Sequence, residues 1–197
     1  QLPTTPQKPS TQPLSETALR ASLAKALRTN LSDFTPLKVL RHNLGKRLDV
    51  LAIATSAPPE AQRAKHGPRH YHLRFNVTDP SIAPNGVVEI QVFRPYKEAL
   101  PDVEVGDGVL LRNFSVKAEK DKGFALRSED SSSWAVFKRE RVTECRGPPV
   151  EIGKDEEEHV ARLKEWWGSR GEEFMARLGR VGESPGSAKG KTRARGA

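Results

Sequence analysis

The chain of 197 residues has a single cysteine, few aromatic side chains and no long hydrophobic run. With only Cys145 present, an internal disulfide and a cysteine-based zinc site are excluded, which fits a reducing compartment such as the nucleus or cytosol. No apolar stretch approaches the roughly 18 residues of a membrane-spanning helix, and no signal-peptide pattern opens the sequence. We therefore expect a protein with no membrane partner.

The sequence also lacks a recognisable catalytic constellation. It has no nucleophile with a matching base, no paired-carboxylate site, no glycine-rich phosphate loop and no metal triad. Asp79 and Asp107 lie at turns, where structural hydrogen bonding is the expected role. His66, His70 and His72 invite a zinc site, but no fourth ligand has the required spacing. We predict a binding protein, not an enzyme, without metal, cofactor or small-molecule substrate.

Charged and polar residues are abundant, and they are unevenly distributed. Apolar residues make up 36% of the chain and charged residues 29%, so part of the chain cannot bury enough surface to fold alone. The formal net charge is +8, and residues 179–197 carry five basic side chains against one acidic. Residues 1–13 (QLPTTPQKPSTQP) are almost free of apolar side chains. We predict a disordered arm over 1–13 and a disordered basic tail over 179–197.

Helical periodicity is found on both sides of the central region. Three leucines spaced four residues apart follow Ser15, a residue type that caps helices, and predict a short helix over 14–30. A second helical segment, over 151–178, opens with acidic residues suited to a helix N-terminus. Its apolar stripe consists of Val160, Leu163, Trp166 and Trp167. We expect this stripe to pack on the neighbouring domain, and a partner-protein anchor is the alternative.

Residues 31–150 contain the short alternating segments of a β protein. Residues 47–56 (RLDVLAIATS) form one strand-like run, and residues 70–79 (HYHLRFNVTD) alternate between an apolar and a polar face. The polar face consists of His70, His72, Arg74, Asn76 and Thr78. Residues 86–94 (GVVEIQVFR) repeat the alternation and place Phe93 out of phase with the buried Val92. Two neighbouring strands with one solvated face are therefore predicted.

The remaining segments complete a barrel pattern. A helical turn at 96–100 precedes a fourth strand within 105–116, and residues 123–130 and 132–140 supply the closing strand or strands. Five or six short strands, with a small helix between the third and fourth, match a mainly β fold, the five-stranded Greek-key OB barrel. We predict this barrel over 31–150, with helices flanking it on both sides.

Several short motifs along this region are similar to those of a known family. They are Phe34-Thr35-Pro36-Leu37, Tyr71 followed by Phe75-Asn76-Val77-Thr78-Asp79, Val92-Phe93 followed by Tyr96-Lys97-Glu98-Ala99-Leu100-Pro101, and Gly106-Asp107. In this order they resemble the telomeric single-stranded-DNA-binding OB domain of the protection-of-telomeres and telomere end-binding proteins. The trailing EEEHVARLKEWW resembles the helix that follows this domain in fungal members. The resemblance implies binding of G-rich telomeric single strands, a nuclear location at chromosome ends and a role in telomere maintenance or capping.

The resemblance also implies where bases would stack. A family aromatic at the end of the third strand matches Phe93, whereas a second one, late in the fourth strand, falls on Glu119, which cannot stack. Binding a single strand requires a π surface for each base and cations along the backbone. The polar strand face and the basic loop before it supply further candidates. The predicted nucleic-acid-binding residues are Phe93, His70, His72, Arg74, Asn76, Arg63, Lys65, Arg69, Lys117 and Lys120.

Each of these assignments has a structural alternative. Phe93 could cap the end of the barrel, the polar strand face could be ordinary solvated surface, and the loop could be merely flexible and basic. A second function also stays open, in which the domain is an OB-fold protein-interaction module within a telomere-cap complex and has little DNA affinity of its own. Glu119 and the modest charge of the barrel region favour that function, whereas Phe93 and the basic loop favour DNA.

Overall fold

The structure is a computed structural model, and it describes residues 30–65, 67–119, 123–138, 141–143 and 150–182. The predicted arm over 1–13 lies outside the described residues, as does the predicted helix over 14–30 except for Asn30. Asn30 begins the described chain, and its side chain accepts a hydrogen bond from the backbone N–H of Ser32 at the start of a 3₁₀ turn.

The secondary structure of the described residues is mainly β. The strands are β1 (Arg47–Ala54), β2 (Gln62–Arg63), β3 (Tyr71–Thr78), β4 (Val88–Arg94), β5 (Gly108–Glu119), β6 (Gly123–Arg127), β7 (Ser133–Lys138) and β8 (Arg141–Thr143). Three 3₁₀ helices lie at Leu31–Asp33, Leu37–His42 and Lys97–Ala99, and one α-helix, α1, spans Lys154–Gly182. The helical turn predicted at 96–100 is therefore confirmed. Helix α1 runs four residues past the predicted end at 178.

Five of the strands close into a barrel. Strand β1 pairs antiparallel with β3 and β5, β3 pairs antiparallel with β4, and β6 pairs antiparallel with β5 and parallel with β4. This cyclic order, β1-β3-β4-β6-β5, has one parallel pair and is the Greek-key arrangement of the OB fold. The predicted fold class is confirmed.

The barrel interior is built from the apolar face that the alternation predicted. Leu73, Phe75 and Val77 of β3 are buried, and they pack in one core with side chains from every other barrel strand. The predicted polar face of β3 needs one correction. Thr78 is fully buried, and its burial is tolerated because its hydroxyl donates a hydrogen bond to the carbonyl of Gly86 at 2.9 Å in the connection that follows.

Two aspartates hold the connections at the barrel ends. Asp79 accepts hydrogen bonds from the backbone N–H groups of Leu37 and Ser81, each at 2.9 Å. Asp107 accepts one from the N–H of Glu104 at 2.8 Å, and burial raises the pKa of Asp107 above its ordinary value. The structural role predicted for both aspartates is confirmed.

The last part of the barrel divides its pairing between two strands. Strand β6 pairs with the second half of β5, and β7 pairs with the first half. The residues between them, 128–132, are tied to the end of β4 by Arg94, which is 7% exposed. Its guanidinium donates to the carbonyls of Phe93 at 2.8 Å, Glu129 at 3.1 Å and Ser132. It also lies 4.3 Å from the centre of the Trp134 ring.

Helix α1 covers the outside of one half of the barrel. Its residues Val160, Leu163 and Trp167 pack on a second cluster formed by outward-facing side chains of β1, β5 and β7. The packing of at least one tryptophan on the barrel, as predicted, is confirmed by Trp167. Among the described residues, none of the helices has the length and apolar character needed to cross a membrane. The outer face of β3, β4 and β6 is left to form the groove described below.

The close approach of α1 to β5 at Gly108 generates a first prediction. A Cβ built on Gly108 would lie 2.6 Å from Cγ1 of Val160. We expect Gly108→Ala to lower the free energy of unfolding by about 1–3 kcal/mol, because the helix must shift to relieve the overlap. The matched control is Gly179→Ala on exposed α1 surface, where nothing lies within 4 Å and alanine favours helix. Chemical denaturation of both variants measures the difference, and equal stabilities would contradict the packing.

The Arg94 contacts generate a second prediction. Arg94→Lys keeps the charge, but one compact ammonium cannot reach three carbonyls and lie flat on Trp134. We expect a loss of about 1–3 kcal/mol in unfolding free energy. Arg177→Lys, on the exposed surface of α1, is the control and should change stability by less than about 0.5 kcal/mol. Indistinguishable melting temperatures for the two variants would show that the Arg94 contacts contribute little.

Candidate nucleic-acid interface

A groove of about 590 Å³ crosses the outer face of β3, β4 and β6. The rings of His72 and Phe93 line it, together with four cations. The cations are Arg63, Lys65, Arg74 and Arg127. A groove with rings on its floor and cations around them is suited to an extended anionic ligand with flat groups.

One wall of the groove is the connection between β1 and β3. Within it, the two residues of β2 fold back and pair with β3, so that Arg63 faces Tyr71 in the register. The Arg63 guanidinium lies 4.7 Å from the centre of the Tyr71 ring and donates a hydrogen bond to the Tyr71 hydroxyl at 3.0 Å. Strand β2 thus holds one cation at the rim. Strand β2 itself was not predicted from the sequence, because a two-residue polar strand has no apolar pattern.

Phe93 is the central aromatic side chain of the groove. It is half-buried on β4, which lies between β3 and β6. On the β3 side, the His72 ring stacks at a centroid distance of 5.6 Å and an interplanar angle of 18°. On the β6 side, the Arg127 guanidinium lies 4.4 Å from the Phe93 centroid. Phe93 therefore belongs to a layer of three flat groups, and it does not cap the barrel end.

The floor beside Phe93 is polar. Gln91 is 3% exposed, and its Nε2 donates to Oε1 of Glu89 at 2.8 Å and to Oε1 of Glu119 at 2.9 Å. Arg74 lies 3.7 Å from the same oxygen of Glu89. The carboxylate of Glu119, at the position where the resemblance implied an aromatic, instead accepts a hydrogen bond on the groove floor.

The backbone register aligns the charged groups in a row. Arg74 on β3 is opposite Gln91 on β4, and Gln91 is opposite Arg127 on β6. Because neighbouring strands lie about 4.8 Å apart, the two arginines flank Gln91 on either side at about the same distance. Both arginines are exposed. The groove thus has a cation on each side of its polar floor.

The structure brings half of the predicted site residues together. Five of the ten line the groove: Arg63, Lys65, His72, Arg74 and Phe93. The other described ones do not line it. His70 precedes β3, Arg69 is exposed in the loop, Asn76 lies further along β3, and Lys117 lies two residues before Glu119 on β5. Lys120 lies outside the described residues, so its role stays a prediction.

Gln91 and Arg127 are among the groove residues that sequence reasoning missed. Both carried a usable signal, because Gln91 shares a strand face with Phe93, and Arg127 alternates with the buried Leu126. The missing information was the parallel pairing of β6 with β4, which brings Arg127 to Phe93. Within the described ranges, no group of three or more histidine, cysteine or acidic side chains could hold a metal ion. His66 lies outside those ranges.

Comparison with known proteins agrees with this geometry. A family model described as "Telomeric single stranded DNA binding POT1/CDC13" matches residues 28–174, about three quarters of the chain. A comparison with curated protein sequences finds no significant match.

Among solved structures, the chain is similar to fission yeast Pot1 with single-stranded DNA, at a TM-score of 0.61 and 16% identity over 76% of this chain and 53% of that one. It is also similar to a complex of Pot1 (protection of telomere) with single-stranded DNA, at a TM-score of 0.60 and 16% identity over 80% of this chain and 99% of that one. The chain thus spans about half the length of the first relative. At this identity the likeness shows the shared fold, and the family is shown by the sequence match: the chain belongs to the telomeric single-stranded-DNA-binding POT1/CDC13 family.

Proposed function

We propose that this chain binds telomeric single-stranded DNA along the groove on β3, β4 and β6, with a base stacked at Phe93. The observation that carries the proposal is the half-buried Phe93 ring, which lies on the groove floor between His72 and Arg127. A base added to this layer gains stacking of about 1–3 kcal/mol, and every base has a flat face to contribute.

The cations around the layer suit the phosphates of the same strand. Lys65 and Arg74 are exposed at the groove, and Arg63 is held on Tyr71 at its rim. Each cation that meets a phosphate releases counterions, so binding should weaken as salt rises. The predicted residues His70, Asn76, Arg69 and Lys117, which do not line the groove, remain proposed contacts for a strand that extends beyond it, and Lys120 also remains a proposed contact.

The proposal extends to the setting in which the chain acts. The family and the similar solved structures are DNA-binding proteins. We propose that the chain acts by binding alone, without catalysis, at the telomeric region of chromosomes in the nucleus. There it would contribute to telomere maintenance or capping.

Binding of another telomere-cap protein is a second candidate, on a different surface. A cavity of about 320 Å³ lies between α1 and the connection after β3, lined by Pro84, Trp166 and Phe174 among others. Trp166 is half-buried there, whereas Trp167 packs on the barrel. Because this cavity and the groove share no lining residue, the two functions are compatible and separable by substitution.

Removal of the central ring tests the proposed function. We expect Phe93→Ala to weaken binding of a G-rich single strand by about 5- to 150-fold at every salt concentration, because stacking does not depend on counterions. Tyr96→Ala removes an aromatic that is 71% exposed and outside the groove, and should leave affinity unchanged. Titration of a labelled strand at two salt concentrations measures both. Equal affinities of the two variants would exclude Phe93 as a stacking platform.

Removal of one groove cation tests the electrostatic part. Lys65→Ala should lower the slope of log affinity against log salt by about 0.7, the value for one phosphate contact on a single strand. Lys38→Ala is the matched control, since Lys38 is an exposed lysine on the 3₁₀ helix Leu37–His42, away from the groove. A slope that changes equally in both variants would mean that Lys65 acts only through the net charge of the protein.

A further inference from the structure

The groove floor offers hydrogen-bond acceptors to a ligand. Gln91 has two N–H donors on Nε2, and it donates one hydrogen bond to Glu89 and one to Glu119. Its remaining polar atom, Oε1, is an acceptor, and a carboxylate is acceptor-only with about four lone-pair sites. Glu119 lines the groove, and its bond to Gln91 uses one of these sites. A ligand that matches this floor must therefore bring donors.

The four DNA bases differ sharply in how many donors they can bring. The Watson–Crick edge of guanine has two adjacent donors, N1–H and the N2 amino group, which fit the two oxygens of one carboxylate. Adenine and cytosine each have one amino donor beside a ring nitrogen acceptor. Thymine has one N–H between two carbonyl oxygens. An approaching carboxylate is repelled by each of these neighbouring acceptors, so guanine is the base that the floor favours.

The position of the floor fixes which base it meets. Gln91 and Phe93 are two residues apart on the same face of β4, which is about 7 Å along the strand. Arg127 is opposite Gln91 in the register and also lies over the Phe93 ring. A base at the floor is therefore the neighbour of the base stacked at Phe93.

We propose that Glu119, held in place by Gln91, recognises the Watson–Crick edge of a guanine next to the base stacked at Phe93. This inference rests on the proposed function and adds a specificity-determining residue to it. The carboxylate repels the phosphates of any strand, and only guanine compensates with two charge-assisted hydrogen bonds. Glu119 thus lowers affinity for other strands while favouring guanine, and both effects increase discrimination.

The test uses strands that differ at a single base. We choose twelve-nucleotide thymidine strands that carry one central guanine, inosine, adenine or thymine. Such a strand can bind in several registers, so the central base can reach the groove floor. The unmodified protein should prefer the guanine strand over the all-thymidine strand by about 5- to 150-fold, as expected for one bidentate pair. Inosine lacks the N2 amino group, so its strand should lose most of this preference. Equal affinity for guanine and inosine strands would overturn the proposal without any variant.

Substitution of the carboxylate completes the test. Glu119→Gln should reduce the guanine preference at least fivefold, and affinity for the all-thymidine strand should stay the same or rise as repulsion is removed. Glu60→Gln is the matched control, because Glu60 lies on the same groove and is paired with Lys97 at 3.1 Å. It should change affinity for all four strands by the same factor.

The outcomes separate this inference from the function on which it rests. If Glu119→Gln changes affinity for all four strands equally, Glu119 contributes charge alone and the guanine proposal is wrong, although strand binding stands. If the unmodified protein shows no saturable binding at low salt to these strands or to the G-rich strand, the proposed function fails, and the guanine proposal fails with it. If it binds the G-rich strand and does not distinguish guanine from thymine in the thymidine strands, only the guanine proposal fails.

Discussion

The groove depends on one buried cation, the guanidinium of Arg94. Burial lowers the pKa of Arg94 from its ordinary value, with the charge of Asp130 acting in the opposite direction. Such a group is tolerated inside a protein only when its donors are used, and here they meet carbonyls of residues 93, 129 and 132. These bonds fix the turn between β6 and β7 to the end of β4.

The turn between β6 and β7 also positions the binding surface. Ser128 donates its backbone N–H to the carbonyl of Gln91 at 2.8 Å and accepts a hydrogen bond from the N–H of Phe93 on its hydroxyl, also at 2.8 Å. Arg127, one residue earlier, is thereby held beside the Phe93 ring. Residues 128–132 therefore contact both Arg94, which is buried, and the backbone of Phe93, whose ring lies in the groove.

The groove combines attraction and repulsion on one small surface. Arg63, Lys65 and their neighbours attract any polyanion, whereas the carboxylates on the floor oppose it. An entirely basic groove would bind single strands more tightly and with less discrimination. Gln91 instead holds the Glu89 and Glu119 carboxylates among the groove cations, so that the affinity depends on which base meets the floor. The modest net charge of the barrel region is consistent with such a balance.

The sequence by itself determined the barrel and the solvated face of β3 and β4. Strict alternation from Leu73 to Val77 requires one buried and one solvated side, and the continuous apolar run Val50–Ala54 requires cover on both sides, which the core and α1 provide. Phe93 was recognisable because it breaks the phase of its buried neighbours, and the family motifs gave its place in the strand order.

Only the tertiary structure decided which polar groups meet. Alternation assigns a side chain to a face, but it does not specify which strand lies beside it, and pairing between distant segments brought Arg127 and Glu119 to β4. For the same reason Asn76 and Lys117 were predicted as site residues from their strand faces, but they do not line the groove. A period of two residues is a local property of the chain, whereas a binding site is made by contacts between residues far apart in sequence.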